Sequence, residues 1–152
     1  GAKIEAAMSV VPVGKAELRR EGRSGLAILV FGTLLAKAAP VAEQLDATLV
    51  NMRYIKPLDI DLLRELAQRH TAFITVEENA TAGGAGSAVA EALAELGVSL
   101  PIHHIGIPDR FIEHGSRDDC LAAAGLHAAG VDEQIERFWS THASGLRRSA
   151  AN

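Results

Sequence analysis

A chain of 152 residues, 48 % hydrophobic and 22 % charged, is long enough for one ordinary globular core and too apolar for intrinsic disorder. Its 15 Lys and Arg against 19 Asp and Glu leave a formal charge of −4, which excludes a mainly electrostatic grip on nucleic acid or anionic lipid. A single cysteine, no visible signal peptide and no apolar run near the ~18 residues of a membrane span exclude a disulfide scaffold and a spanning helix, so the cytoplasm is the expected compartment.

Residues 1–12 show no clean period, although Ile4, Ala7, Met8 and Val11 can share one side of a short helix, and they read as a leader or linker. From Val13 to Arg20 partial alternation, Ala16 and Leu18 against Lys15, Glu17 and Arg19, predicts an edge strand with one wet face. Leu26 to Phe31 is a continuous apolar run bounded by glycines, the pattern of a strand covered on both faces. Leu34, Ala38, Val41, Ala42 and Leu45 then recur at helical spacing, with Pro40 inside the pattern, where a local distortion is expected.

Ala47 to Met52 predicts the next buried strand. Asp59 suits the N-cap of a helix with Asp61 in its first turn, core positions Leu62, Leu63, Leu66 and Ala67, and Arg69 and His70 at its C-terminal end. Ala72 to Val76 is a third buried run, and Ser87 is placed as cap of a helix carrying Val89, Leu93 and Leu96, closed by Gly97. Ile102 to Ile105 is a short strand. Ser116 with Asp119 resembles a capping box opening a short helix that Gly125 stops, and Val131, Ile135 and Phe138 mark a last helix. The small, polar stretch 140–152 reads as a flexible tail. Strands alternating with helices predict a three-layer α/β fold over residues 13–139: a mainly parallel sheet of about five strands, helices on both faces, and room for an antiparallel edge strand.

Chemistry is expected beyond the carboxyl ends of the strands, where ligands sit in open parallel sheets. There the run Glu77-Glu78-Asn79 leads to Gly83-Gly84-Ala85-Gly86-Ser87. If the strand persists, the two carboxylates point to opposite faces, which disfavours a paired-carboxylate hydrolase and leaves one solvated carboxylate and one structural partner to an Arg or a helix N-terminus. The glycine loop offers N–H groups to an anion at a helix start, but Val89 replaces a third dinucleotide glycine and no Lys follows, so close packing is the simpler reading. His103, His104 and His114 lack zinc spacing, and Cys120 has no evident base, which favours a buried small hydrophobe. The segment Asp109-Arg110-Phe111-Ile112-Glu113-His114-Gly115 carries more functional side chains than a connector needs and reads as a contact surface.

Four ordered motifs carry a resemblance over about residues 13–139: Phe31-Gly32-Thr33-Leu34-Leu35; Met52 to Asp59; Thr75 to Asn79 followed by Gly83 to Ser87; and Pro108 to Gly115. Together they resemble the C-terminal, transketolase-like domain of the 1-deoxy-D-xylulose 5-phosphate synthases. The resemblance implies part of a homodimeric enzyme that condenses pyruvate with glyceraldehyde 3-phosphate, releasing carbon dioxide, with thiamine diphosphate and Mg²⁺. In that family an N-terminal domain holds the cofactor and a middle domain supplies the Glu that activates it, so no catalytic, cofactor-binding or metal residue carries over to this chain. What it implies here is a domain or dimer contact surface made by Arg53, Glu77, Glu78, Asn79, Gly83, Gly84, Gly86, Ser87, Asp109, Arg110, Phe111, Glu113 and His114. Two alternatives from other classes remain at this point. One is a free-standing anion or nucleotide binding module using the Gly83–Ser87 helix start; the other is a purely structural dimerisation domain.

Overall fold

The central strand is β2, Leu26–Phe31, whose six residues are all buried because helices cover both of its faces. The computed structural model describes residues 10–149, with side chains as far as Ala143. The leader helix suggested by Ile4, Ala7 and Met8 lies outside the described residues. Around β2 stand β1 (Glu17–Arg20), β3 (Thr48–Asn51), β4 (Ala72–Ala80) and β5 (Ile102–Ile107), in the order β1-β3-β2-β4-β5. All neighbours pair in parallel except β1, which runs antiparallel to β3. The five-stranded α/β sheet with an antiparallel edge is the one its sequence predicts.

Alternation along the strands splits the core in two. Leu26, Ile28, Val30, Ile74, Val76 and Ile105 face α1 (Leu35–Gln44), α4 (Arg117–Ala123) and α5 (Ala128–Ser149). Ala27, Leu29, Phe31, Val50 and Phe73 face α2 (Ile60–Arg69) and α3 (Ala85–Glu95).

Several elements differ from expectation. β1 begins at Glu17 rather than Val13, because Val13-Gly14 turns with Gly14 at φ +70°. Lys15 and Arg19 are exposed and Ala16 packs on the core as expected, but Glu17 and Leu18 exchange sides. Leu18 is exposed, whereas Glu17 and Arg20 are half-buried, since each charge has a partner: Arg53 at 2.8 Å from Glu17, and Asp46 at 2.7 Å from Arg20. α1 runs through Pro40 without a break after a 3-10 turn at Gly32–Leu34. Pro40 and Ala36 are both exposed, so the carbonyl that Pro40 cannot satisfy is left to water. α5 continues to Ser149, through most of the stretch assigned to a tail.

The N-caps predicted at Asp59 and Ser116 hold. Asp59 accepts from Leu62 N at 3.3 Å, and its buried carboxylate also accepts from Ala16 N at 3.0 Å and Lys15 Nζ at 3.2 Å, tying α2 to the approach to β1. Asp59→Ala is therefore expected to cost about 1–2 kcal/mol, while Asn keeps most of the cap. Urea midpoints of the two variants against the parent chain measure the difference. Ser116 and Asp119 form the full capping box of α4.

Candidate functional site

The parallel strands β3 and β4 flank β2 on opposite sides, so the chain reverses its direction of travel across the sheet after β3. The switch between them opens a crevice at their carboxyl ends. A depression of about 380 Å³ sits there, lined by Gly32, Thr33, Arg53, Ile55, Glu78 and Asn79 among others.

β4 does persist past Val76, so Glu77 and Glu78 go to opposite faces. Glu77 turns inward and is only 2 % exposed. Its Oε2 accepts from Ala85 N at 2.7 Å and its Oε1 from Gly86 N at 2.8 Å. The carboxylate thereby fills the N-terminus of α3, where free N–H groups and the helix dipole favour a negative charge. The anion that the glycine loop can cradle is the chain's own side chain. Three glycines make room for it. A Cβ at Gly84 would lie 2.4 Å from Glu77 Oε2, one at Gly86 3.2 Å from Oε1, and one at Gly106 3.2 Å from Glu77 Cγ. Ser87 does not cap α3: the helix starts at Ala85 with Gly84 as N-cap. Instead Ser87 Oγ accepts from Gly83 N at 3.0 Å and donates to Thr81 O at 3.3 Å, stapling the turn.

Beside Glu77 on the same face, Thr75 Oγ1 and His104 Nδ1 are hydrogen-bonded at 2.7 Å. Burial lowers the pKa of His104, and the nearby Glu77 charge only partly opposes this. His103, one residue earlier, points to the other face. Its ring stacks on Phe138 at 5.2 Å, and its Nε2 is buried without a hydrogen-bond partner among the described residues. Burial, then the charges of His104 and Arg137, hold it below the usual imidazole range. His114 stands on an exposed loop, so the three histidines face three surroundings.

Glu78 faces the α1 side, where Thr33 Oγ1 donates to Oε1 and Arg117 Nη2 donates to the same oxygen at 2.5 Å. Arg117 also donates to Thr33 Oγ1 at 3.2 Å. Burial would raise the pKa of Glu78, but the hydrogen bonds from Thr33 and Arg117 and the charges of Arg117 and Lys37 outweigh it, so the carboxyl lies below the usual range. The carboxylate left to solvent in the sequence reading is thus a bridge between three elements. Thr33, Arg117, Thr75 and His104 were not singled out from sequence as site residues. A signal for Arg117 was available, because a cation in the first turn of a helix opposes the dipole and needs a local anion.

Of the other candidates, Gly84 and Gly86 close around Glu77, and Arg53 and Asn79 share the strand-end depression with it. Arg53 has φ +57° and is drawn back to Glu17, while Asn79, Gly83, Asp109, Arg110, Glu113 and His114 are exposed and Gly84 and Gly86 are buried at the start of α3. Phe111 is fully exposed and Ile55 half-exposed, so the strand-end surface presents apolar groups beside charge. Cys120 is half-buried rather than buried, with Sγ 3.7 Å from Glu113 O. Among the described residues no group of three or more His, Cys, Asp or Glu could hold a metal ion, and no helix is long and apolar enough to cross a membrane.

The chain is thus a mainly parallel α/β domain whose α3 terminus is filled from within by Glu77 and whose strand ends gather charge and an exposed aromatic. Residues 14–131 match the family described as transketolase, C-terminal domain, and the chain belongs to that family. It is 55 % identical over 86 % of its length to a 1-deoxy-D-xylulose-5-phosphate synthase of Thioalkalivibrio sulfidiphilus, and 52 % identical over 91 % to that of Nitrosococcus oceani. The chain spans only 20–21 % of those relatives. A solved structure described as a split gene transketolase, inactive beta4 tetramer, superposes with a TM-score of 0.76 at 32 % identity, covering 86 % of this chain and 44 % of that one.

Proposed function

We propose that the chain is the C-terminal domain of a 1-deoxy-D-xylulose 5-phosphate synthase acting in the cytoplasm, with a structural and dimer-contact role in the condensation of pyruvate with glyceraldehyde 3-phosphate. The observation that carries this reading is the identity of 50–55 % to synthases over nearly the whole chain, together with the small share of each synthase that it spans. When bound, thiamine diphosphate supplies the carbanion chemistry, and Mg²⁺ anchors its diphosphate. The residues present here do not fit either group: the N–H donors at the α3 start are engaged by Glu77, and no metal-ligating cluster is formed among the described residues. In this proposal both groups belong to the N-terminal and middle domains, and no step is assigned to this chain. Its part is to present Phe111, Ile55, Arg53 and Asn79 at the strand ends to those domains or to a second subunit.

The test is turnover. The 152-residue chain alone is expected to give no product from pyruvate and glyceraldehyde 3-phosphate, and activity is expected when the preceding synthase domains are supplied. Product from the chain alone overturns the proposal. The rival module, binding an anion or nucleotide at Gly83–Ser87, would need Glu77 to withdraw from the donors it occupies. Calorimetric titration with phosphate, nucleotides and thiamine diphosphate decides it, since micromolar binding, on the order of −8 kcal/mol, would favour the module.

A further inference from the structure

Residues 108–124, the irregular loop and α4, are poorly anchored by apolar contact. Leu121 is the single buried residue of α4, and most of the loop is exposed. A segment with so few buried apolar groups belongs to the low-stability end of a fold, where polar tethers decide its position. Within itself the segment is braced. Arg110 Nη2 donates to Ala123 O at 2.5 Å, Ser116 and Asp119 cap each other, and Cys120 Sγ reaches Glu113 O. Among the described residues, the side-chain hydrogen bonds that join it to the sheet are those of Arg117 to Glu78 at 2.5 Å and to Thr33 at 3.2 Å. Beneath it lies a cavity of about 320 Å³ walled by Ile107, Ile112, Cys120 and Leu121, with Glu78 and Arg117 at its rim. The same Glu78 and Arg117 border a groove of about 1250 Å³ along α1, so this ion pair is the partition between the two spaces.

We propose that residues 108–124 form a flap that moves as one braced unit, and that the Arg117–Glu78–Thr33 contact is the latch holding it against the carboxyl ends of β2 and β4. Gly125, at φ +74°, provides the hinge at its far end. Release of the latch joins the cavity to the groove and bares Cys120. Both charges of the latch are partly exposed, at 60 % for Arg117 and 26 % for Glu78, so salt screens their attraction and favours the open form.

The experiment is the rate of Cys120 alkylation by iodoacetamide in the full-length polypeptide, followed by mass spectrometry of the Cys120 peptide. Arg117→Ala is expected to label about fivefold faster than the parent, the equivalent of a latch at the upper end of exposed ion pairs. Raising the salt to ~0.5 M is expected to speed the parent and leave the variant unchanged. The sign separates opening from local electrostatics. Loss of a neighbouring cation disfavours the thiolate and would by itself slow labelling. Hydrogen exchange on the same samples is expected to quicken in 108–124 and not in β4. Equal or slower labelling in Arg117→Ala, or no salt effect on the parent, overturns the latch. Should Arg117→Ala loosen the whole fold, Thr33→Val, which removes one hydroxyl from the latch, is expected to show the same local change, and its absence counts equally against the proposal.

Discussion

Glu77→Ala is expected to destabilise the chain by about 3–5 kcal/mol, because it leaves the buried N–H groups of Ala85 and Gly86 without an acceptor and opens a void where the carboxylate stood. For a domain of this size that is a fall in Tm of about 10 °C. The effect is large because the two donors have no alternative. They lie on the first turn of α3, where no earlier helical carbonyl reaches them, and Ala85 and Gly86 are buried from water. Glu77→Gln separates charge from shape. The amide offers one oxygen for two donors and turns an NH₂ group toward the other, so a loss of about 2 kcal/mol is expected. Urea unfolding monitored by circular dichroism gives both values. If alanine costs less than 1 kcal/mol, water solvates the helix start and the carboxylate is not its structural cap. Glu78→Ala, by contrast, breaks a partly exposed bridge and is expected to cost no more than about 1 kcal/mol.

That difference between adjacent carboxylates explains what could and could not be read from the sequence. The buried strands were legible because both faces of a central parallel strand are covered, which writes a continuous apolar run such as Leu26–Phe31 or Ala72–Val76. Asp59 and the Ser116–Asp119 pair were legible because capping is local: donor and acceptor lie within three residues. Glu77 is a cap too, yet its donors are eight and nine residues away, across a loop whose path depends on how α3 packs against the sheet. Composition reads Glu-Glu-Asn as the end of a strand. In the structure β4 runs on to Ala80, since one carboxylate finds a helix terminus and the other finds Arg117. β1 departs from its period at Glu17 and Leu18 for a related reason: the ion pair of Glu17 with Arg53 holds a charge where the period assigns solvent.

Gly84→Ala and Gly86→Ala are expected to be destabilising by about 3 and about 2 kcal/mol, although at Gly86, inside the helix, alanine ordinarily gains about 1 kcal/mol over glycine. The cause is steric. A Cβ at Gly84 would stand 2.1 Å from Ala80 O, a backbone atom of β4 that cannot rotate away. One at Gly86 would stand 2.4 Å from His104 Nδ1 and 2.5 Å from Thr75 Oγ1, a hydrogen-bonded pair whose members are held by β4 and β5. Gly97→Ala supplies the reference. Nothing lies within 4 Å of its Cβ, so it reports only the left-handed backbone at φ +67°, worth about 1–2 kcal/mol. Both loop variants should exceed or match it by urea unfolding, and Gly84→Ala milder than Gly97→Ala would sink the argument. A cycle of Gly86→Ala with Thr75→Ala adds a second check. Removing the hydroxyl relieves one of the two close contacts and frees the His104 ring to shift, so the pair should be less harmful than the sum of the singles by about 1 kcal/mol. Such a coupling would mean that the glycines of this loop serve to let α3 close over a buried carboxylate and its polar neighbours, which is a requirement of packing and leaves the α3 terminus no vacancy for a ligand phosphate.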